Sequence, residues 1–282
     1  MLSYRHAFHA GNHADVLKHL VLREVLAYFA SKGKPYWYVD THAGAGYYAL
    51  DTGHATQNAE FNTGITRLWQ RDDLPPVLAG YVAAIKALNQ KDDTLRCYPG
   101  SPGIAAPLLN SEDRMRLFEL HPTDGNALSE NFRTAGRQVS VQAVDGFTGL
   151  KAVLPPPPRR AVILIDPPYE EKRDYQRVLE ALKDGQKRFA TGTYIVWYPQ
   201  LTRPDSEHLP ERFKALKLES WLHVTLSVTK PSQRGFGMYG SGLFIVNPPW
   251  TLPKTLEAVL PWLVGVLGDD ATARYGLEYQ IP

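Results

Sequence analysis

A carboxylate and two prolines follow directly after an apolar run at residues 162–165. The run, Val-Ile-Leu-Ile, is continuous and rich in β-branched residues, which predicts a strand that is covered on both faces. Pro167 and Pro168 have no N–H group to donate to a neighbouring strand, so the strand must end before them. They also restrict the backbone of Asp166, which predicts a carboxylate held rigidly at the carboxyl end of a strand.

Three further acids lie where the chain leaves a predicted strand. Asp40 ends the first strand, Glu119 the second and Asp145 the third. Each could be a turn residue or a helix cap, but four such acids in succession indicate a ligand site, because open α/β sheets bind ligands at the carboxyl ends of their strands. An acid after the second strand can accept from ribose hydroxyls, and an acid after the third from an adenine amine. The pattern predicts a bound adenosine and leaves Asp166 for chemistry.

The chemistry that fits Asp166 is the transfer of a methyl group to the N6 amine of adenine. This amine is a poor nucleophile because its lone pair is delocalised into the ring, and its two protons need strong acceptors as the nitrogen becomes tetrahedral. The Asp166 carboxylate and the Pro167 carbonyl are two such acceptors, fixed in advance toward the developing positive charge. Tyr169 offers a flat face on which an extruded base could stack.

A glycine-rich turn, DTHAGAG at residues 40–46, follows the first predicted strand. Gly44 and Gly46 would allow a ligand to approach the backbone and the next helix to point its N–H groups at an anion. The turn lacks the G-x-G-x-x-G spacing of nicotinamide sites and the Gly-Lys-Ser/Thr of NTPases. It therefore indicates a cofactor loop of another kind.

A second Asn-Pro-Pro-Trp motif, at residues 247–250, competes with Asp166 for the catalytic role. The glycine turn and two strand-end acids precede Asp166 at the spacing of consecutive strands, whereas Asn247 follows the last predicted strand. We therefore interpret Asn247 as a structural terminator of its strand.

Strands that alternate with helical patterns must position these groups. The alternation predicts an α/β fold with a mostly parallel sheet covered on both faces. The loop before the last strand is too short for a crossover helix, so that strand should be antiparallel. The seven predicted strands are residues 36–40, 115–120, 138–145, 161–166, 193–199, 223–228 and 242–247.

The helical patterns predict one domain, 1–282, with a small insertion. Residues 12–30 have the spacing of an amphipathic helix. The segment 50–96 is longer than a simple connection, and its apolar spacing predicts a helical insertion subdomain. After it, Ser101 is the predicted N-cap of a helix that begins with Pro102.

Composition limits the class of protein. The chain has 282 residues, 44% of them hydrophobic, and a net charge of +2, which suits a globular fold and neither requires nor excludes a nucleic-acid partner. A single cysteine excludes an internal disulfide framework. There is no apolar run of about 18 residues and no signal-peptide core. We expect a cytoplasmic protein without a membrane segment.

The amino-terminal segment YRHAFHAGNHADVLKH is dense in histidines and cations. Its spacing does not give an H-E-x-x-H pair, so we expect no metal. Together with DTHAGAG, YPGSP, ELHP, DGF and IDPPYE, it closely resembles the J-type large-subunit rRNA methyltransferases of bacteria, the RlmJ family. The Asp-Pro-Pro-Tyr motif is similar to that of class I S-adenosylmethionine-dependent N6-adenine methyltransferases.

The resemblance implies a Rossmann-like class I methyltransferase, a monomer with S-adenosylmethionine as cofactor and no metal. It implies methylation of a single-stranded or flipped adenine, adenine 2030 of 23S rRNA. The implied cofactor-binding residues are His19, His42, Ser101, Glu119, Asp145, Gly146 and Asp166, and Asp166 is also catalytic. The implied substrate-binding residues are Tyr4, His6, Lys18, Pro167 and Tyr169. Lys18 could serve the methionine carboxylate of the cofactor or an RNA phosphate.

Three other functions stay open at this point. A DNA adenine-N6 methyltransferase would use the same chemistry but usually adds a sizeable recognition domain. A protein glutamine-N5 methyltransferase would prefer Asn in the position of Asp166. A non-catalytic nucleotide-binding module would not need Asp166 and Tyr169 together.

Overall fold

The computed structural model describes residues 5–51, 55–91, 93–232 and 237–282. Ten strands lie in this part of the chain: β1 (Trp37–Asp40), β2 (Tyr47–Ala49), β3 (Cys97–Pro99), β4 (Arg114–Phe118), β5 (Val139–Gln142), β6 (Ala161–Ile165), β7 (Thr193–Gln200), β8 (Trp221–Ser227), β9 (Gly240–Val246) and β10 (Arg274–Gln280). β2 and β3 form a small antiparallel sheet. The other eight form one sheet in the order β5-β4-β1-β6-β7-β9-β8-β10.

The strand directions bring the predicted site residues to one edge of the large sheet. β5, β4, β1, β6 and β7 are parallel, and β9 is antiparallel to both β7 and β8. The predicted mostly parallel sheet with an antiparallel late strand is confirmed. β1 ends at Asp40 and β6 at Ile165, directly before Asp166, so both acids lie at the carboxyl edge.

The large sheet has one strand more than the seven predicted, at its carboxyl-terminal side, and the short strands β2 and β3 were not predicted either. β10 pairs in antiparallel register with β8 along its whole length. Its residues are exposed or half-buried, and they do not form the apolar run that marks a covered strand. Hydrogen bonding at the sheet edge makes this segment a strand.

Helices cover both faces of the sheet. The described α-helices are α1 (His13–Ser31), α2 (Ala55–Asn58), α3 (Thr66–Trp69), α4 (Pro76–Lys86), α5 (Ser101–Ala105), α6 (Pro122–Asn131), α7 (Gly146–Val153), α8 (Lys172–Arg188), α9 (Pro204–Glu207), α10 (Leu209–Lys214) and α11 (Leu252–Leu267). One core contains buried residues of α1, α4 and α11, and the other those of α7, α8 and α10. No helix of the described chain is long and apolar enough to cross a membrane.

Helix α1 matches the helix predicted at residues 12–30. Asn12 caps it by accepting a hydrogen bond from the backbone N–H of Asp15 at 2.9 Å. The first half of α1 is buried on all sides, including Asp15, Lys18 and His19. It therefore brings polar and charged groups into the interior.

The segment between β2 and β3 contains helices α2 to α4, where the sequence predicts helices. Its residues Leu68, Tyr81 and Ile85 are fully buried in the same core as α1. The division into one domain with an insertion subdomain remains a prediction.

Candidate active site

The carboxyl ends of the parallel strands surround a cavity of about 790 Å³. Most of the predicted site residues line it. These are His6, Lys18, His19, His42, Ser101, Glu119, Asp145, Gly146, Asp166, Pro167 and Tyr169. Tyr4 lies outside the described residues.

The catalytic candidate, Asp166, faces a buried cation. Its carboxylate Oδ2 accepts a hydrogen bond from Lys18 Nζ at 2.7 Å. The Asp166 side chain is 13% exposed and that of Lys18 is 5% exposed, so little water screens the pair. Asp166 is therefore held at both ends, by the double proline of its backbone and by Lys18.

Asp15 organises the cation side of this pair, and sequence reasoning missed it. Its carboxylate accepts hydrogen bonds from Gly11 N at 2.9 Å and His6 Nε2 at 2.9 Å, and forms an ion pair with Lys18 Nζ at 2.9 Å. Burial opposes the charge, but His6 and Lys18 lower the pKa of the Asp15 carboxyl well below its usual value. An acid three residues before a lysine, on the buried side of a helix, is the signal that could have indicated this role.

The two roles suggested for Lys18, at the methionine carboxylate of the cofactor or at an RNA phosphate, remain predictions. Lys18 Nζ lies between the carboxylates of Asp15 and Asp166 and 5.4 Å from the ring centre of Trp197. Burial alone would lower the pKa of Lys18, but the two carboxylates raise it above its usual value. Lys18 is thus a buried ammonium that stabilises Asp166.

Two histidines of the predicted cofactor set are neutral. His19 Nδ1 lies 2.8 Å from the Tyr98 hydroxyl, and His42 Nδ1 lies 2.8 Å from Thr41 Oγ1. Burial lowers the pKa of each ring to about 3. Neither can supply a positive charge near neutral pH, so each can contribute hydrogen bonds and contact surface.

Glu119 spans the turn that follows β4 and the turn that follows β1. Its carboxylate accepts from Gly44 N at 2.8 Å and from His121 N at 2.7 Å. Burial raises the pKa of the Glu119 carboxyl. Each carboxylate oxygen has a further lone pair, so Glu119 can accept from a ligand while it orders both turns.

The prediction that Ser101 is the N-cap of its helix is wrong. Gly100 is the N-cap of α5, and Ser101 is the first helical residue. The Ser101 hydroxyl donates to Asp40 Oδ2 at 2.6 Å, and the Tyr38 hydroxyl donates to the same oxygen at 2.7 Å. Asp40 is fully buried, so this strand-end acid holds other residues in place behind the cavity wall.

Asp145 is a helix cap as well as a residue of the cavity. Its Oδ1 accepts from Thr148 N at 3.0 Å at the start of α7, and its Oδ2 accepts from Arg177 Nη2 at 2.5 Å. Burial by itself would raise the pKa of the Asp145 carboxyl. The hydrogen bonds from Arg177 and Thr148 outweigh this effect, so the pKa is lowered. β5 ends at Gln142, three residues earlier than predicted.

The backbone around the cavity is built for close approach, which fits a nucleoside-bearing cofactor. A side chain at Gly146 would collide with the carbonyl of Thr41, and Gly44 and Gly46 have φ values of +60° and +81°. These three positions therefore need glycine. Polar acceptors at Glu119 and Asp145 lie at the adjacent strand ends. Among the described residues there is no group of three metal-ligating side chains.

Tyr169 is anchored below the cavity. Its φ is +53°, and its hydroxyl donates to the carbonyl of Trp197 at 2.6 Å. Its ring centre lies 4.7 Å from that of Tyr175, and the residue is 3% exposed. Tyr169 lines the cavity, and its stacking role remains a prediction.

The second Pro-Pro motif lies at the opposite edge of the sheet. Val246, the last residue of β9, pairs with Tyr194 near the start of β7. Asn247 Nδ2 donates to the carbonyls of Ala190 and Gly192 at 2.7 and 2.8 Å. This placement supports the interpretation of Asn247 as a strand terminator.

The strand order and the acids around the cavity define a Rossmann-like class I methyltransferase, in which β9 inserts antiparallel between β7 and β8. The family described as "Ribosomal RNA large subunit methyltransferase D, RlmJ" matches residues 33–281. The chain belongs to this RlmJ family.

Similar proteins cover the whole chain. The chain is 46% identical over 282 residues to "Ribosomal RNA large subunit methyltransferase J" of Escherichia coli and 45% identical to the protein of the same name from Haemophilus influenzae, with full coverage of each. A crystal structure of the Legionella pneumophila protein LPL1258 is similar, with a TM-score of 0.89 at 37% identity, covering 96% of this chain and 98% of that one.

Proposed function

We propose that this protein transfers a methyl group from S-adenosylmethionine to the N6 amine of one adenine in 23S rRNA, adenine 2030 by family resemblance. The observation that carries the proposal is the Asp166 carboxylate, fixed by the double proline and by Lys18 at 2.7 Å on the wall of the cavity. Family membership and the names of the full-length relatives support an rRNA substrate.

Different residues would bind the cofactor and the target amine. S-adenosylmethionine supplies an electrophilic methyl group when bound. Glu119, Asp145 and Gly146 would hold its adenosine, because they combine acceptors with a backbone that tolerates close approach. The free oxygen of Asp166 and the Pro167 carbonyl would accept hydrogen bonds from the amine as positive charge develops on it.

Lys18 determines what kind of acceptor Asp166 can be. Its ammonium donates to Oδ2 at 2.7 Å and fixes that oxygen, so the other oxygen is left to accept from the amine. Asp166 therefore acts by orienting the amine and stabilising its charge. Methyl transfer leaves a positive charge on N6, and the nitrogen then loses one proton to the solvent.

Asp166→Asn tests the proposal in a methyl-transfer assay with tritiated S-adenosylmethionine. Loss of a preorganised acceptor of this kind should lower turnover by about 10²–10³-fold, and cofactor affinity should fall by a smaller factor. Near-normal turnover by folded Asp166→Asn would contradict the assignment. Asn247→Ala is the matched control in the second motif and should keep its turnover.

The choice of substrate distinguishes the proposal from its alternatives. The same assay is run with a 23S rRNA fragment, duplex DNA and a release factor, and the methylated nucleoside is identified by mass spectrometry. N6-methyladenosine in the rRNA fragment is expected. Methylation of DNA or of glutamine alone would replace the proposed substrate.

A further inference from the structure

A cluster of cations lies at the amino ends of the central strands, on the side of the sheet opposite the cavity. β1, β4 and β6 begin there, and the Pro-rich segment LPPPPRR leads into β6. We call this cluster the basic rim. Its members are Lys32, Lys34, Arg114, Arg116, Arg159 and Arg160.

Contacts through β1 show that the basic rim is continuous. Arg160 Nη1 donates to the carbonyl of Lys34, and Trp37 N donates to the carbonyl of Arg160. Trp37 is the register partner of Arg114. The Arg116 guanidinium lies 4.2 Å from the ring centre of Trp37. These residues therefore form one surface around the start of β1.

The basic rim has no acidic partners in the described part of the chain. None of its six cations has a carboxylate within the 4.0 Å of an ion pair. Asp113, which precedes Arg114 in the chain, is fully buried and accepts from the backbone N–H groups of Tyr36 and Asn110, while Glu112 is exposed. A surface of like charges that repel one another is suited to an anionic partner.

The fold holds several rim cations in fixed positions. Arg160 lies 5.0 Å from the ring centre of Phe29, and Lys32 lies 4.2 Å from that of Tyr28. Rigid guanidinium groups bind phosphate oxygens with less loss of entropy than mobile ones.

We propose that the basic rim binds backbone phosphates of the rRNA that flanks the target adenine. The inference rests on the proposed rRNA substrate. Arg160 and Asp166 lie at opposite ends of β6, and six extended residues span about 20 Å. An rRNA segment longer than this distance can reach from the cavity to the basic rim, where phosphate contacts would add affinity without reading the base sequence.

Lys34→Ala/Arg159→Ala tests the inference, because both residues are exposed and the double variant should fold. Two substrates are compared: a short hairpin with the target adenine, and a long 23S rRNA fragment that extends from it on both sides. For the long fragment, KM should rise several-fold and the slope of log Kd against log salt should decrease by about 1–2. The kcat should stay unchanged for both substrates. The KM for the hairpin should also stay unchanged, because the hairpin is too short to reach the rim.

The matched control is Lys187→Ala/Lys254→Ala, which removes two exposed cations from α8 and α11 and should leave KM and slope unchanged. Filter binding of the long fragment measures the slope whether or not methylation occurs. Equal slopes for wild type and rim variant would overturn the inference. Binding of phosphatidylserine vesicles by the rim, with no change in RNA slope, would also overturn it. Failure of the wild type to methylate either RNA would instead contradict the proposed function.

Discussion

Removing the buried cation Lys18 should destabilise the protein strongly. Lys18→Met keeps the length of the side chain but leaves two carboxylates without their shared partner, which lies 2.9 Å from Asp15 and 2.7 Å from Asp166. Breaking a buried ion pair by removing one partner costs about 3–5 kcal/mol. For a chain of this size that corresponds to a fall in Tm of roughly 10 °C.

The pH dependence of this loss identifies its cause. The pKa of Lys18 is raised in the folded protein, so its stabilisation is complete below the unfolded value of about 10.4 and is lost as pH rises past the folded value. The pKa of Asp15 is lowered, so its stabilisation is complete above about 3.9 and is lost as pH falls below that value. Between these limits the wild type keeps both contributions. In Lys18→Met the unpaired Asp15 carboxyl should take up a proton more readily, so the difference in stability should narrow from about pH 8 to about pH 5.

Thermal unfolding across this pH range, followed by circular dichroism, measures both effects. Asp15→Asn combined with Lys18→Met should lose less stability than the sum of the single variants, since the two side chains interact directly. A decrease in Tm smaller than about 2 °C would refute the reasoning. So would a stability difference between wild type and Lys18→Met that does not change with pH. Lys18→Met should also leave the salt dependence of RNA binding unchanged, because a buried, paired ammonium releases no counterions.

Three further substitutions test the site and the motif interpreted as structural. Glu119→Gln should weaken binding of S-adenosylhomocysteine by about 10-fold or more, since a charged acceptor is lost; unchanged affinity in calorimetry would limit Glu119 to ordering the turns. Gly146→Ala should lower Tm and cofactor affinity together because its methyl group would meet the Thr41 carbonyl, whereas Gly265→Ala on α11, with open space around it, should not. Asn247→Ala should cost about 2–4 kcal/mol, from two hydrogen bonds and a left-handed backbone, at unchanged kcat; reduced kcat at unchanged Tm would contradict its role as a terminator.

Features that depend on neighbouring residues could be predicted from the sequence. Two successive prolines have to end β6 and fix Asp166, wherever the rest of the chain lies. Apolar periodicity likewise predicted α1 and the parallel strands, because burial on one or both faces leaves a pattern in the sequence. Once the strands are parallel, the acids that follow them must meet at one edge of the sheet.

Tertiary structure alone decided which charges are partners. Lys18 and Asp166 are 148 positions apart, and no local pattern shows that α1 brings the ammonium against the strand end. The same holds for Ser101, which has the residue type of a helix cap but donates to Asp40, 61 positions away. β10 was missed because pairing with β8 forms it at an edge where no burial pattern is required. The residue type determines which interactions a side chain can form. The packing of distant segments determines which partner it interacts with.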